Sequence, residues 1–121
     1  MPDILIIDDD DFTRGLIARK VRSAGYTVRE AADAAIGIKA VLDAHPDLIL
    51  LDVHMPYMSG LDVLKAIKGD TQSRDIPVVM LTADSDDNTW LEALRWGAAD
   101  YLTKPFEEKE LIEVLGKWAG K

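Results

Sequence analysis

Short, wholly apolar runs alternate along this chain with longer stretches whose apolar positions recur at helical spacing. Ile4-Leu5-Ile6-Ile7, Leu48-Ile49-Leu50-Leu51 and Val78-Val79-Met80-Leu81 are the clearest runs. Each is short and rich in branched side chains, without polar alternation, which predicts strands buried on both faces. After the first run, Leu16, Ile17, Val21 and Ala24 predict a helix over 12–24, with Asp11 as its N-cap and Gly25 as its stop. Residues 26–29 read as a short second strand. Asp33 can cap the next helix, which carries Ile36, Ala40 and Val41 and ends before Pro46. A loop with Pro56, Ser59 and Gly60 leads into a helix on Leu61, Leu64 and Ile67. Residues 84–87 can start a fourth helix with Leu91 and Leu94, which Gly97 stops. Residues 100–103 read as a fifth strand, broken by Lys104-Pro105. Leu111, Val114, Leu115 and Trp118 then form a helical stripe at i, i+3, i+4 and i+7.

Five strand–helix units with short connections predict a parallel sheet with helices on both faces. Right-handed crossovers leave few topologies. One is the flavodoxin-like doubly wound sheet of order 2-1-3-4-5, whose site lies beyond the carboxyl ends of the strands. The chain has 121 residues, room for one domain over 1–121 and no output domain. It has no run approaching a membrane span and no visible signal peptide.

The absence of cysteine removes disulfides, thiolate metal sites and cysteine nucleophiles, and agrees with a cytoplasmic location. A formal net charge of −8 argues against direct nucleic-acid binding and suits a cationic partner or a divalent metal. The acidic residues are clustered: Asp8, Asp9, Asp10 and Asp11 are consecutive.

That cluster falls where the strand pattern converges. Asp8 and Asp9 end the first strand, Asp52 the third, Thr82 the fourth and Lys104 the fifth. In a parallel sheet these ends share one rim. Carboxylates crowded there oppose joint ionisation. A hard cation that prefers oxygen ligands relieves them, and Mg²⁺ takes one or two carboxylates plus a phosphate. Asp9 and Asp52 can serve as direct ligands, with Asp8 acting through water. An aspartate can accept a phosphoryl group as nucleophile. Lys104 and the metal can then neutralise the phosphoryl oxygens, and the Thr82 hydroxyl can donate to one of them.

With these residues in place the chain resembles the receiver domain of two-component response regulators. The resemblance rests on Ile-Leu-Ile-Ile-Asp8-Asp9, Leu-Leu-Asp52-Val-His-Met-Pro56 with Ser59-Gly60, Leu81-Thr82-Ala83, and Tyr101-Leu-Thr-Lys104-Pro105-Phe106. It covers nearly the whole chain. It implies phosphorylation of Asp52 by a histidine kinase, a histidine phosphotransfer protein or a small phosphodonor. It implies Mg²⁺ held by Asp9, Asp52 and the backbone carbonyl of His54, and a cis Lys104-Pro105 peptide. It also implies a switch in which Thr82 moves toward the phosphoryl group and Tyr101 turns inward. The surface of the fourth helix, fifth strand and fifth helix then changes its affinity for a downstream protein or a second copy. The chain would be a monomer or a phosphorylation-linked homodimer.

Some residues stay open at this level. The His54 side chain either tunes phosphoryl lifetime, with Asp84 sharing that role, or faces solvent. Trp90 is either core-edge or an exposed anchor for a partner beside Tyr101, which is itself either a switch or a fixed aromatic. Trp118 fits the core, and Trp96 is out of phase with Trp90. Three other functions compete. A haloacid-dehalogenase-like phosphohydrolase places its nucleophile after the first strand and adds a cap domain. A flavin-binding domain needs a phosphate cradle where this chain has four aspartates. A degenerate receiver would bind partners without phosphorylation.

Overall fold

The computed structural model describes residues 1–83 and 87–120. Five strands, β1 (Asp3–Ile7), β2 (Thr27–Ala31), β3 (Leu48–Asp52), β4 (Val78–Thr82) and β5 (Asp100–Thr103), form one parallel sheet in the order β2-β1-β3-β4-β5. Five helices, α1 (Asp11–Ser23), α2 (Ala34–Asp43), α3 (Gly60–Gly69), α4 (Asp87–Arg95) and α5 (Glu108–Ala119), alternate with them. This is the doubly wound order that the sequence pattern predicts.

The unbroken apolar runs are explained by the sheet having two buried faces. Successive strand side chains point to opposite sides. Leu5, Ile7, Ile49, Leu51, Val78 and Met80 therefore meet Val41, Val63, Leu64 and Ile67 of α2 and α3. Ile4, Ile6, Leu48, Leu50, Val79 and Leu81 meet Ile17, Val21, Leu111 and Leu115 of α1 and α5. The register Ile4↔Leu48 through Ile7↔Leu51 keeps the two sets apart, because a one-residue slip would exchange every side chain between faces.

The helix termini follow the sequence signals with one correction. Asp33 and Ser59 cap α2 and α3 by accepting the backbone N–H groups of Ile36 and Asp62. At α1 the cap is Asp10, not Asp11: Asp10 accepts from the Thr13 N–H. Asp11 is already the first helical residue, and it pairs with Arg14 at 2.7 Å. Strand β2 also lies further along than predicted. Tyr26 precedes it as a core residue, and β2 runs on to Ala31 because Ala31 pairs with Ile7. Among the described residues no helix is long and apolar enough to cross a membrane.

Candidate functional site

Each site residue is delivered by the end of a strand. Asp8 follows β1 directly, and its N–H donates to the Ala31 carbonyl at 3.1 Å, so the strand pairing carries on into the loop. Asp8 is fully buried, and its Oδ1 accepts the Asp10 N–H at 3.0 Å. Asp52 is the last residue of β3 and is 6 % exposed. Beyond it, Val53 donates to the Leu81 carbonyl and Gly60 donates to the Val53 carbonyl, which bends the β3–α3 loop back over the rim. Thr82, buried, ends β4. The Lys104 N–H donates to its carbonyl and places Lys104 just past β5. The Lys104–Pro105 peptide is cis, as the family resemblance implies.

Asp8, Asp9 and Asp52 each bring a carboxylate oxygen within 4.8 Å of the others. The Lys104 ammonium lies 2.8 Å from Asp8 Oδ2 and 3.5 Å from Asp52 Oδ1. Lys104 thus pairs with two of the three carboxylates. Burial, then the charge of Asp8, pushes the Asp52 carboxyl up to about 6; Lys104 and the His54 N–H offset part of this. Burial also works against the Lys104 ammonium, but its hydrogen bond to Asp8 and the neighbouring carboxylate charges outweigh it and raise its pKa. An all-oxygen donor set with excess negative charge, Asp8 and Asp52 buried and Asp9 open to solvent, is the chemistry a hard dication needs. These residues therefore fit Mg²⁺.

The His54 side chain is exposed, and its backbone N–H reaches the Asp52 carboxyl. Asp84 lies outside the described residues. Tyr101 is 41 % exposed and stacks on Trp90, with ring centroids 4.4 Å apart and planes tilted by 42°. Trp90, half-buried, packs at the edge of the α2–α3 core. Trp118 packs against the α1–α5 core and donates through Nε1 to Asp100 at 3.0 Å. Trp96 is exposed on one side, with the Lys65 ammonium 5.0 Å from its ring centroid.

Two residues at the rim escape a reading of the sequence. Arg14 donates to the Asp8 carbonyl at 2.8 Å; only its i,i+3 spacing from Asp11 hints at this. Tyr57, fully exposed in the β3–α3 loop, has φ 70°. The Met58 N–H closes the turn onto the Pro56 carbonyl at 2.8 Å. A side chain in that backbone region costs on the order of 1–3 kcal/mol, whereas glycine adopts it freely. Tyr57→Gly is therefore expected to raise stability by about 1 kcal/mol, after the extra freedom glycine gives the unfolded chain. Urea midpoints measure it, and a loss of stability would show that the ring makes a contact worth more than the strain.

Sheet order, acidic rim and paired lysine define an α/β domain of the flavodoxin-like, chemotaxis-regulator type. The family model described as the response regulator receiver domain matches residues 4–116, and the chain belongs to that family, the receivers of two-component systems. It is 40% identical over 112 residues to the phosphate regulon transcriptional regulatory protein PhoB of Pseudomonas aeruginosa, covering 93% of this chain and 49% of that protein. It is also 40% identical to the DNA-binding dual master transcriptional regulator RpaA of Synechocystis, over 93% of this chain and 46% of that one. The chain thus spans about half the length of these curated relatives. Among solved structures it superposes on the chemotaxis protein CheY4 of Vibrio cholerae with TM-score 0.93 and 31% identity, covering 98% of each chain. The receiver domain of the sensor histidine kinase PA1611 from Pseudomonas aeruginosa, which has a magnesium ion coordinated in its active-site cleft, matches with TM-score 0.90 and 30% identity, over 99% of this chain and 98% of that one.

Proposed function

We propose that the chain is one receiver domain over 1–121, and that Asp52 accepts a phosphoryl group from a phosphohistidine on a histidine kinase or histidine phosphotransfer protein. The observation that carries this reading is the Lys104 ammonium shared by Asp8 and Asp52 at the buried switch point between β1 and β3. An Asp52 oxygen forms the new O–P bond as the donor's P–N bond breaks, and the imidazole leaves with the bonding pair. Lys104 is free to exchange its Asp52 contact for a phosphoryl oxygen while keeping Asp8. In the same reading Thr82, at the end of the neighbouring strand, donates its hydroxyl to another. Asp9, Asp52 and the His54 carbonyl, with Asp8 behind them, would hold Mg²⁺, which when bound neutralises the phosphoryl oxygens.

Phosphorylation then shifts a two-state equilibrium through differential contacts at the rim. Thr82 and Tyr101 are the moving parts of this reading. Because Tyr101 stacks on Trp90, turning Tyr101 inward strips one ring from the α4–β5–α5 face and uncovers the other for a downstream protein or a second copy. The donor approaches from the side of α1, where Phe12 is 75% exposed and Leu16 and Phe106 border a groove of about 250 Å³ beside Lys104. A cytoplasmic setting and a signalling rather than metabolic role belong to the same reading.

Incubation with Mg²⁺ and acetyl phosphate tests it by intact mass. One phosphoryl adduct is expected on the wild type, none in EDTA and none on Asp52→Asn, with a change in intrinsic tryptophan fluorescence accompanying the adduct. An adduct that survives Asp52→Asn would refute the assignment. A wild type that never forms one would leave a receiver acting by contact alone.

A further inference from the structure

The guanidinium of Arg14 is tied at three nitrogens. Nη1 donates to the Asp8 carbonyl at 2.8 Å, Nη2 to Asp11 Oδ1 at 2.7 Å and Nε to Glu30 Oε1 at 3.1 Å. The side chain is 13% exposed, whereas the Asp11 carboxylate it holds is 84% exposed, so the bond to the Asp8 carbonyl is the most sheltered of the three. Its partners come from three places: the β1–α1 loop, the first residue of α1, and β2. The Arg22 guanidinium, further along α1, lies 3.8 Å from the other Glu30 oxygen and steadies that carboxylate.

The Asp8 carbonyl belongs to the peptide unit that joins Asp8 to Asp9. That unit is planar. Pinning its oxygen, while the Asp8 N–H is held by Ala31, fixes both sides of Asp8 and the direction in which the chain leaves toward Asp9. We propose that Arg14 is a positioning residue for the metal site, holding the Asp8–Asp9 peptide so that both carboxylates face Asp52. A planar fork with several fixed donors can do this, whereas a lysine ammonium is a point charge on a flexible stem. This inference rests on the reading of the acidic rim as a Mg²⁺ site.

Positioning and simple charge predict opposite signs. Removing a cation beside an acidic cluster deepens the negative potential and tightens a dication. Losing the peptide clamp loosens it, and residues that orient metal ligands typically contribute about tenfold or more to affinity. Titration calorimetry of the whole chain with Mg²⁺ alone reads this, on wild type, Arg14→Met and Arg14→Lys, alongside thermal unfolding without metal. Binding is expected to weaken about tenfold in Arg14→Met, and in Arg14→Lys despite its retained charge. At saturating Mg²⁺ both variants are expected to regain most of the wild-type rate of phosphorylation from acetyl phosphate. Tighter or unchanged Mg²⁺ binding would overturn the proposal, including the case where only the unfolding midpoint falls, since Arg14 would then be a structural tie. If the wild type takes up no Mg²⁺, the metal reading of the site fails first and this inference falls with it.

Discussion

Replacing Asp52 with asparagine is expected to stabilise the metal-free protein on the order of 2–3 kcal/mol at pH 7.5, with the gain disappearing toward pH 4. The Asp52 carboxyl is raised from 3.8 to about 6 in the fold, chiefly by burial and then by the charge of Asp8. A raised carboxyl binds its proton more tightly folded than unfolded. Between about 4 and 6 the native state therefore holds more protons, and stability falls as pH rises through that window. Above it the carboxylate is ionised at a cost, and asparagine, similar in shape and uncharged, removes the cost. Below it both states are protonated and the substitution has little to relieve. Urea unfolding in EDTA at pH 4, 6 and 7.5 measures the trend. An asparagine variant no more stable than wild type at pH 7.5, or equally favoured at every pH, would mean that Lys104 already compensates Asp52 in full.

The same carboxylate links stability to function. A site that opposes its own charge when empty is one that a cation relieves, and binding to the native state alone adds stability with ligand concentration. Mg²⁺ is therefore expected to narrow the gap between wild type and Asp52→Asn from the wild-type side. Among the described residues Lys104 is the lysine paired with these carboxylates, and no second one joins it. The fold leaves an excess negative charge at the place where an incoming phosphoryl group must be met by a metal.

Much of this was legible in the chain because the site is made of strand ends. An apolar run that stops at a polar residue marks a rim position, and Asp8, Asp52 and Thr82 all sit at such stops. Parallel order then brings them together without knowledge of any contact. Legibility fails where tertiary contacts choose between local options. Asp10 and Asp11 are equally good caps by type. The choice falls to Asp10 because its own N–H is drawn back onto Asp8, so the helix starts one residue earlier than predicted. Strand β2 has no clean periodicity, and only pairing with Ile7 shows that it reaches Ala31. Arg14 looks like one basic residue among others on an amphipathic helix, since its role depends on the Asp8 carbonyl and on Glu30 of β2. Tyr57 carries no sign of its backbone conformation, since a tyrosine is the wrong residue type for a positive φ.

Gly60→Ala is expected to cost about 3 kcal/mol or more, because the new methyl has no place to go. A Cβ at Gly60 would lie 2.1 Å from the Asp52 carbonyl oxygen and 2.8 Å from the Val53 Cα. Both are backbone atoms, so no rotamer change relieves the overlap. The Gly60 N–H also donates to the Val53 carbonyl at 2.8 Å, which holds the start of α3 against the end of β3. Either that bond stretches or the peptide carrying Asp52 and Val53 moves, and the second outcome displaces the phosphoacceptor and the His54 backbone. The phosphorylation rate is therefore expected to fall even in the fraction that remains folded. Gly15 makes the contrast sharp. It lies inside α1 with nothing within 4 Å of a Cβ, so Gly15→Ala is expected to gain about 0.5–1 kcal/mol from helix propensity alone. Urea midpoints for the two variants should move in opposite directions. If Gly60→Ala unfolds with the wild type, the loop behind Asp52 can give way freely. The tight approach of α3 would then not be what holds the phosphoacceptor in place.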